Sequence, residues 1–261
     1  MQDDLFTVDG QVVLVSGGSR GIGRALAQGF ADRDAQVIIT GREAATLATT
    51  AQEISHGTHP AAYEVCDVAK PEEVTALVAR VIEKYSRIDT LLNVAGVNKR
   101  MKAEKYTVEE YDWIVDINLR GAFVIAQAAG RHMIERKSGQ IINIDSLNTY
   151  APLAGVAPYA MSKAGVLMMT RALANEWGKH GVRVNSIAPG FFPTALTSKV
   201  WTQEKMLNWA HTNTPLSKLG DVEDLVGAAI FLASPASAFV TGQTLRVDGG
   251  FTAGLNWPMD L

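Results

Sequence analysis

The sequence has few of the features that mark secreted, membrane-bound or disulfide-stabilised proteins. It contains one cysteine, Cys66, which excludes a disulfide framework within the chain and fits a reducing compartment. No uninterrupted apolar run is long enough to span a membrane. The acidic start, residues 1–5, lacks the basic and apolar regions of a signal peptide. We therefore expect a cytoplasmic protein without a membrane partner.

The charge balance and the histidines argue against two further classes. The chain has 24 Lys and Arg against 27 Asp and Glu, a net charge of −3 at pH 7. This balance predicts no general polyanion-binding surface and no nucleic-acid partner. The five histidines show no metal-ligand spacing, at positions 56, 59, 132, 180 and 211. We expect no metal ion.

Strand-like and helical patterns alternate along the whole chain. The strand-like runs lie near 11–16, 36–40, 61–66, 89–94, 139–145, 182–188 and 243–247. The helical patterns lie at 21–33, 43–55, 71–86, 107–136, 156–179 and 221–233. This alternation predicts an α/β fold, a Rossmann-type, doubly wound, seven-stranded parallel sheet with helices on both faces. The length suits a single domain, 1–261, in which the long segment 191–217 is expected to be a substrate lid.

A glycine-rich turn follows the first predicted strand. The apolar run 11–15 leads into the turn at 16–23, and a helical pattern continues from Arg24. Strand, glycine turn and helix in this order form a phosphate cradle, because glycines let the backbone approach and the helix N-terminus faces the pyrophosphate. The glycines are spaced Gly-xxx-Gly-x-Gly, unlike the Gly-x-Gly-xx-Gly of other dinucleotide folds. We expect a dinucleotide here.

Tyr159 and Lys163 form a candidate acid/base pair. Four residues apart on a helix, their side chains lie on one face. An ammonium beside a phenol favours the phenolate, so we expect Lys163 to lower the pKa of Tyr159. Ser146 ends another buried strand, at the edge of the sheet where ligands bind, and is placed to bond a substrate oxygen. The alternatives are a surface Tyr–Lys pair and a serine that merely starts a loop.

Together these motifs resemble the short-chain dehydrogenase/reductase family along essentially the whole chain. The matching pieces, in order, are the Gly17/Gly21/Gly23 turn, Asp67-Val68, Asn93-Val94-Ala95-Gly96, Asn118, Ser146, Tyr159/Lys163, Asn185, Pro189-Gly190 and Val247-Asp248-Gly249-Gly250. Three residues depart from the family pattern. Ser16 replaces the usual Thr, Val94 replaces an Asn, and Asp145 stands where a small residue is usual. Asp145 would perturb the local charge if it faced the pocket.

The resemblance implies a role for each motif residue. Ser146 would polarise a substrate oxygen, Tyr159 would exchange its proton, and Lys163 would hold the nicotinamide ribose. Asn118 would keep a proton-relay water in place, and Thr194 would bind the nicotinamide carboxamide. The full set of predicted cofactor contacts is Gly17, Ser19, Arg20, Gly21, Ile22, Gly23, Arg42, Asp67, Val68, Asn93, Ala95, Gly96, Tyr159, Lys163, Pro189, Gly190, Phe192 and Thr194.

The charge after the second strand favours NADP over NAD. NAD-binding sheets usually place Asp or Glu near this point to hold the ribose 2′-hydroxyl. Here the strand ends at Gly41-Arg42. Arginine suits bidentate phosphate contacts, and Arg20 in the glycine turn supplies a second cation. The alternative is that both arginines are simply solvated.

Substrate identity depends on fewer residues. The predicted substrate contacts are Arg100, which could pair with a carboxylate, and Ser146, Asn148 and Tyr159. The stretches 96–100 and 174–180 resemble gluconate 5-dehydrogenases and deoxygluconate dehydrogenases. Arg100 could instead belong to a solvated basic loop, and Trp201, Met206 and Trp209 could line the pocket or only pack. The rival enzyme is a 3-oxoacyl carrier-protein reductase, whose basic loop would dock an acidic partner.

Two further expectations concern the class and the assembly. A nucleotide-sensing regulator on this fold usually lacks the catalytic tyrosine or lysine, and both are present here, so an enzyme is favoured. The helix at 156–179 carries apolar residues on more than one side, such as Leu167, Met168 and Met169, and the C-terminal stretch 247–259 is apolar and glycine-rich. The resemblance implies a homotetramer of D₂ symmetry, with the tail of one subunit near a neighbour's pocket.

Overall fold

One parallel sheet of seven strands organises the computed structural model, which describes residues 4–55 and 58–254. The strands are β1 (Val12–Ser16), β2 (Gln36–Gly41), β3 (Ala62–Val65), β4 (Thr90–Asn93), β5 (Gly139–Ile144), β6 (Val182–Pro189) and β7 (Thr244–Val247). Their order in the sheet is β3-β2-β1-β4-β5-β6-β7. This is the predicted α/β fold.

Helices cover both faces of this sheet, as the long crossovers of parallel strands require. The helices are α1 (Gly21–Ala31), α2 (Ala44–Glu53), α3 (Pro71–Tyr85), α4 (Val108–Val115), α5 (Ala122–Arg136), α6 (Ala157–Trp177), α7 (Ser198–Trp201), α8 (Glu204–Asn213) and α9 (Val226–Ala233). Helices α1, α2 and α9 contribute to the core on one face, for example through Leu26, Leu47 and Ile230. Helices α3, α5 and α6 contribute to the core on the other face, for example through Leu77, Ile125 and Val166.

The strand β1 lies at the centre of both cores. Successive side chains of a strand point to opposite faces, so Val13 and Val15 pack with the first core while Val12 and Leu14 pack with the second. All five residues of β1 are buried. This burial on both faces explains why the strand has a continuous apolar sequence rather than an alternating one.

The ligand crevice follows from the strand order. The chain leaves β1 on one side to form β2 and β3, and then returns to place β4 on the other side of β1. Ser16 at the end of β1 is therefore the neighbour of Thr40 in β2 and of Asn93 in β4. In an open α/β sheet, ligands bind where the order reverses, at the carboxyl ends of the strands. The glycine turn lies at this point.

Two segments differ in detail from the predicted pattern. The helical pattern at 107–136 is divided by a π-helical segment, Asp116–Gly121, that contains Asn118. Such segments often occur at functional sites. The expected lid, 191–217, contains the two helices α7 and α8, and its aromatic side chains pack together. The ring of Phe191 lies 5.3 Å from that of Trp201 and 5.8 Å from that of Trp209, in edge-to-face contact.

Candidate active site

The glycine turn brings its backbone against the end of β4. Gly17 has a φ of +79°, and a Cβ atom at this position would lie 2.8 Å from the backbone of Ala95. A Cβ atom on Gly23 would lie 2.1 Å from the carbonyl oxygen of Gly17. Both distances are too short for any side chain. These two positions therefore require glycine, and the backbone of the turn forms part of the wall of an open cleft.

The N-terminus of α1 faces this cleft with its donors available. Arg20, which precedes the helix, makes no side-chain capping bond, and the first turn contains no acidic residue. The first backbone N–H groups of a helix have no partner within the helix and carry partial positive charge. An anionic phosphate fits such a terminus. Thr194, at the start of the lid, lies across the opening, 3.4 Å from where a Cβ of Gly21 would be.

Most of the predicted cofactor contacts meet in one cleft. Of the eighteen, fourteen line it: Gly17, Ser19, Arg20, Gly21, Ile22, Gly23, Arg42, Asp67, Val68, Ala95, Gly96, Tyr159, Lys163 and Thr194. The side chains of Arg20 and Arg42 are exposed. The cleft thus runs from two cations, past the glycine turn, to the Tyr159–Lys163 pair. A dinucleotide with a phosphate at the cationic end fits this donor set.

Four predicted contacts do not line the cleft. The Asn93 side chain is buried and donates to the carbonyl of Ala122 (2.9 Å) and to Asn143 (3.1 Å), so it joins β4 to α5. Phe192 is buried against Gly220. Pro189 pairs with Val247, and Gly190 lies against the backbone of Asp248, so both connect β6 with β7. These four residues therefore hold together the elements that surround the cleft.

Eight residues that the sequence analysis did not single out as cofactor contacts also line the cleft. They are Gly41, Cys66, Val94, Val97, Ile117, Ile144, Ala195 and Leu196. Most of them are direct neighbours of predicted contacts at strand ends or in the lid. Their position next to a motif residue is the sequence signal that could have identified them, because small and apolar side chains do not themselves indicate a particular chemistry.

Ser146 lies beside Tyr159, which lines the cleft, although Ser146 itself is not among the lining residues. The hydroxyl of Ser146 accepts from the backbone N–H (3.1 Å) and the side-chain amide (3.2 Å) of Asn148. Asn148 in turn accepts from the N–H of Leu153 (2.9 Å), which fixes the turn after β5. The phenol of Tyr159 hydrogen-bonds the Ser146 hydroxyl. Two hydroxyl groups therefore converge where a substrate oxygen can bind both.

The direction of the Tyr159 pKa corrects one expectation. The sequence predicts a lowered pKa, whereas burial, which disfavours the charged phenolate, raises the pKa of Tyr159 above its usual value. The hydrogen bond from Ser146 opposes this effect. The ammonium of Lys163 lies 5.8 Å from the centre of the Tyr159 ring and donates instead to the carbonyl of Ile144 (2.6 Å). The tyrosine is thus a proton donor at neutral pH.

Lys163 is a buried cation close to Asn118. Burial lowers the pKa of its ammonium to about 8. A Cβ on Gly96 would lie 3.4 Å from the Asn118 amide oxygen and 3.8 Å from Lys163 Nζ, so these three residues surround one point. The Asn118 amide accepts from the N–H of Val97 (2.7 Å) and donates to its carbonyl (2.9 Å) and to Ser162 (3.1 Å). Asn118 therefore ties the loop after β4 to α6.

Asp145 lies inside the protein, directly before Ser146. Its side chain is 1% exposed, and its Oδ1 accepts from the Thr149 hydroxyl (2.5 Å), while Oδ2 has no hydrogen-bond partner among the described residues. Burial raises the pKa of this carboxyl to about 6. The charges of Asp145 and Lys163 act on each other. The departure from the family pattern thus places an ionisable group beside the acid/base pair.

Arg100 and Asn148, which are also expected to contact the substrate, lie near Tyr159 and Ser146 respectively. Arg100 is exposed in the loop after β4, and its charge acts on Tyr159. Asn148 is bonded to Ser146 as described above. The aromatic rings of Trp201, Trp209 and Phe251 pack around Phe191, which favours a packing role for these lid residues.

Residues 4–55 and 58–254 contain no cluster of three or more His, Cys, Asp or Glu side chains that could hold a metal ion. In the same part of the chain, no helix is both long and apolar enough to cross a bilayer.

Comparison with known proteins places this geometry in context. A family model described as enoyl-(acyl carrier protein) reductase matches residues 17–252. The chain is 39% identical over 252 residues to a gluconate 5-dehydrogenase of Gluconobacter oxydans, covering 97% of this chain and 98% of that protein. It is 37% identical over 243 residues to a 3-oxoacyl-[acyl-carrier-protein] reductase of Synechocystis, covering 92% and 96%. The crystal structure of a gluconate 5-dehydrogenase from Burkholderia cenocepacia, in complex with NADP and tartrate, is 38% identical, covers 97% and 99%, and superposes with a TM-score of 0.93.

Proposed function

Because the chain belongs to the short-chain dehydrogenase/reductase family, we propose that it interconverts a sugar acid or polyol of the gluconate type and its ketone, using NADP(H). It is an oxidoreductase that acts on a CH–OH group. The observation that carries the proposal is the hydrogen bond between Ser146 and Tyr159, where Tyr159 lines a cleft that fits a dinucleotide. Residues 191–217 are proposed as the substrate lid of a single domain, 1–261.

Four residues have separate roles in the proposed reaction. The hydroxyl of Ser146 binds the reacting substrate oxygen, and Tyr159 gives this oxygen a proton in reduction or removes one in oxidation. Lys163, whose ammonium lies 5.8 Å from the centre of the Tyr159 ring, would hold the nicotinamide ribose. Asn118 fixes the loop at Val97, beside Gly96 and the Lys163 ammonium. When bound, NADP(H) supplies or accepts the hydride.

The assignment of NADP rests on charge at the adenosine end of the cleft. Arg20 and Arg42 both line it, and their side chains are exposed to a ligand. Glu43, the residue after Arg42, is not among the described residues that line the cleft. A 2′-phosphate therefore meets two cations there. The solved gluconate 5-dehydrogenase with bound NADP supports the same choice.

A carboxylate on the substrate would explain why the charge of Arg100 lies near Tyr159. The adjacent Lys99 forms an ion pair with Glu110, whereas Arg100 forms no ion pair within the described residues. Arg100 is thus free to bind an anion beside Tyr159. A 3-oxoacyl carrier-protein reductase, the alternative, needs its basic loop for an acidic protein, and here one of the loop cations is already neutralised from within the chain.

We expect Arg100→Ala to reduce kcat/KM for gluconate about tenfold to a hundredfold, mostly through KM, because a charge-assisted contact to the carboxylate is lost. Activity on a neutral polyol of similar size should change little. The measurement is NADP-dependent oxidation of both substrates. Lys102→Ala, an exposed neighbour, is the control. Equal losses on the acid and the neutral polyol would contradict carboxylate recognition by Arg100.

The same assay separates the candidate functions. A panel of sugar acids, polyols and a 3-oxoacyl thioester is tested with NADPH or NADP⁺. Turnover of the sugar acids supports the proposal, and preferential reduction of the thioester supports the carrier-protein reductase. Tight NADP binding without turnover of any substrate would indicate a nucleotide-sensing regulator.

The exposed face of α5 and α6 supports a homotetramer. Phe123 and Met168 are 41% and 60% exposed, and together with Met169 and Trp177 they line an apolar groove. An apolar surface of this kind commonly marks a partner interface. The expected tail contact, at residues 256–259, lies outside the described residues. Light scattering at micromolar concentration should give about four times the monomer mass of 28.1 kDa, and Met168→Glu should shift it to a smaller species. A wild-type mass near that of the monomer would contradict the assembly.

The cellular location is proposed as the cytoplasm. The single cysteine, Cys66, is buried and unpaired, which fits a reducing compartment.

A further inference from the structure

Asp145 is a buried acid that the chemistry assigned so far does not use. It stands between Ile144, whose carbonyl holds the Lys163 ammonium, and Ser146, whose hydroxyl contacts Tyr159. Its own backbone N–H is bonded to the carbonyl of Ile187 (2.7 Å), so the residue cannot turn out of the protein without breaking the end of the sheet. The ionisable residue Asp145 is therefore fixed between the residue that contacts Lys163 and the residue that contacts Tyr159.

The carboxyl group of Asp145 is incompletely satisfied. The Thr149 hydroxyl donates to Oδ1 (2.5 Å), but Oδ2 is fully enclosed without a partner among the described residues. A buried carboxylate with an unpaired oxygen costs free energy and is retained in proteins mostly where it has a task. The charged and polar groups that act on it are the Thr149 hydroxyl, the Lys163 ammonium and the backbone N–H of Ser146, and Asp145 in turn acts on the phenol of Tyr159.

We propose that Asp145 is a positioning residue of the active site, a buried counter-charge that keeps Lys163 protonated and sets the pH range in which Tyr159 exchanges protons. This inference rests on the proposed oxidoreductase chemistry. It goes beyond it because none of the four residues assigned to catalysis needs an acid at this position.

The direction of the effect follows from electrostatics. A negative charge makes proton loss harder at every neighbouring site, so ionised Asp145 raises the pKa of both Lys163 and Tyr159. For Lys163 this opposes the effect of burial and preserves the cation. For Tyr159 it adds to the effect of burial and preserves the proton. Because the pKa of Asp145 is about 6, this influence is present above that pH and is lost below it.

The first test is the pH profile of Asp145→Asn, which keeps the shape of the protonated acid and removes the charge. Both limbs of the profile of kcat/KM for oxidation should move to lower pH by about 1 unit. Wild type and variant should converge below about pH 6, where Asp145 is protonated. Asp32→Asn, an exposed acid after α1, is the control for loss of one negative charge and should leave the profile unchanged. An Asp145→Asn profile identical to wild type, or one shifted to higher pH, would overturn the proposal.

A second measurement needs no substrate. The folded-state pKa of Asp145 lies above its unfolded value of 3.8, so ionisation destabilises the fold, and this penalty grows from about pH 4 to pH 6 and is then constant. The thermal midpoint of Asp145→Asn should therefore equal that of wild type near pH 4 and exceed it by several degrees at pH 8. A difference that does not depend on pH would show that folding does not raise the pKa of Asp145, and would overturn the proposal.

Thr149→Val keeps Asp145 and removes the side-chain hydroxyl that donates to it, while the backbone N–H of Ser146 remains, so the pKa of Asp145 should rise further. The kcat/KM profile of Thr149→Val should coincide with that of Asp145→Asn wherever Asp145 is protonated. Because the pKa of Asp145 is higher in Thr149→Val, this agreement should extend to a higher pH than it does for wild type. Above that pH, the profile of Thr149→Val should join the wild-type profile. If Asp145→Asn does not fold, this variant alone decides the question, and a wild-type profile would overturn the proposal. Failure of the sugar-acid assay would refute only the substrate, because the thermal measurement is independent of it.

Discussion

Replacement of Tyr159 by Phe should reduce turnover in both directions by about 10²–10⁴-fold, the usual contribution of a general acid/base. The ring that lies near the Lys163 ammonium remains, so the geometry of α6 and of the cleft is kept. Only the proton that Tyr159 exchanges with the substrate oxygen is lost. The measurement is steady-state NADPH oxidation with a sugar ketone, together with the dissociation constant for NADPH from fluorescence titration.

The cofactor affinity separates a chemical defect from a structural one. Because the phenol oxygen acts on the substrate, the dissociation constant for NADPH should change less than about threefold, well under the tenfold that 1.4 kcal/mol would give. Tyr150→Phe is the matched control, since Tyr150 lies in the turn after Ser146, is 38% exposed and keeps its ring contact with Arg246. Tyr150→Phe should retain full activity. Substantial residual turnover in Tyr159→Phe would mean that another group exchanges the proton.

The sheet could be predicted from sequence because each strand carries its own evidence. β1 is apolar at every position since it is buried on both faces, and the glycines at 17 and 23 are required by backbone contacts within and next to the turn itself. The apolar run and the glycine spacing can both be recognised within a few residues of sequence, although the contact that requires Gly17 is made with the distant Ala95. The strand order then brings the ends of β1 and β4 together, so residues from distant motifs line one cleft.

The properties that sequence did not predict arise from tertiary burial. The spacing of Tyr159 and Lys163 places them on one face of α6, but the direction of the Tyr159 pKa depends on how much water reaches the phenol. In the same way, Asn93 belongs to a recognisable motif, yet its amide is used between β4 and α5 rather than in the cleft. The sequence marks Asp145 as unusual, and only the packed structure shows that it is enclosed with one oxygen unpaired.

Replacement of Arg42 by Ala should weaken NADPH binding about tenfold to a hundredfold and leave NADH binding almost unchanged, because the two cofactors differ only in the 2′-phosphate that Arg42 is proposed to hold. Arg20→Ala should act in the same direction, and the double variant should lose more than either single one. Salt should weaken NADPH binding to wild type more than to the double variant, since exposed charges are screened. The measurement is the ratio of the two dissociation constants.

Arg24→Ala is the matched control for this prediction. Arg24 lies on α1 close to the glycine turn, is similarly exposed, and its guanidinium is paired with Glu53 (3.0 Å) rather than directed into the cleft. Its loss removes the same net charge from the same region without removing a phosphate contact, so the NADPH/NADH ratio should stay at the wild-type value. If Arg24→Ala and Arg42→Ala lowered NADPH binding equally, the preference would arise from the general positive potential around α1, and a specific 2′-phosphate site at Arg42 would be refuted.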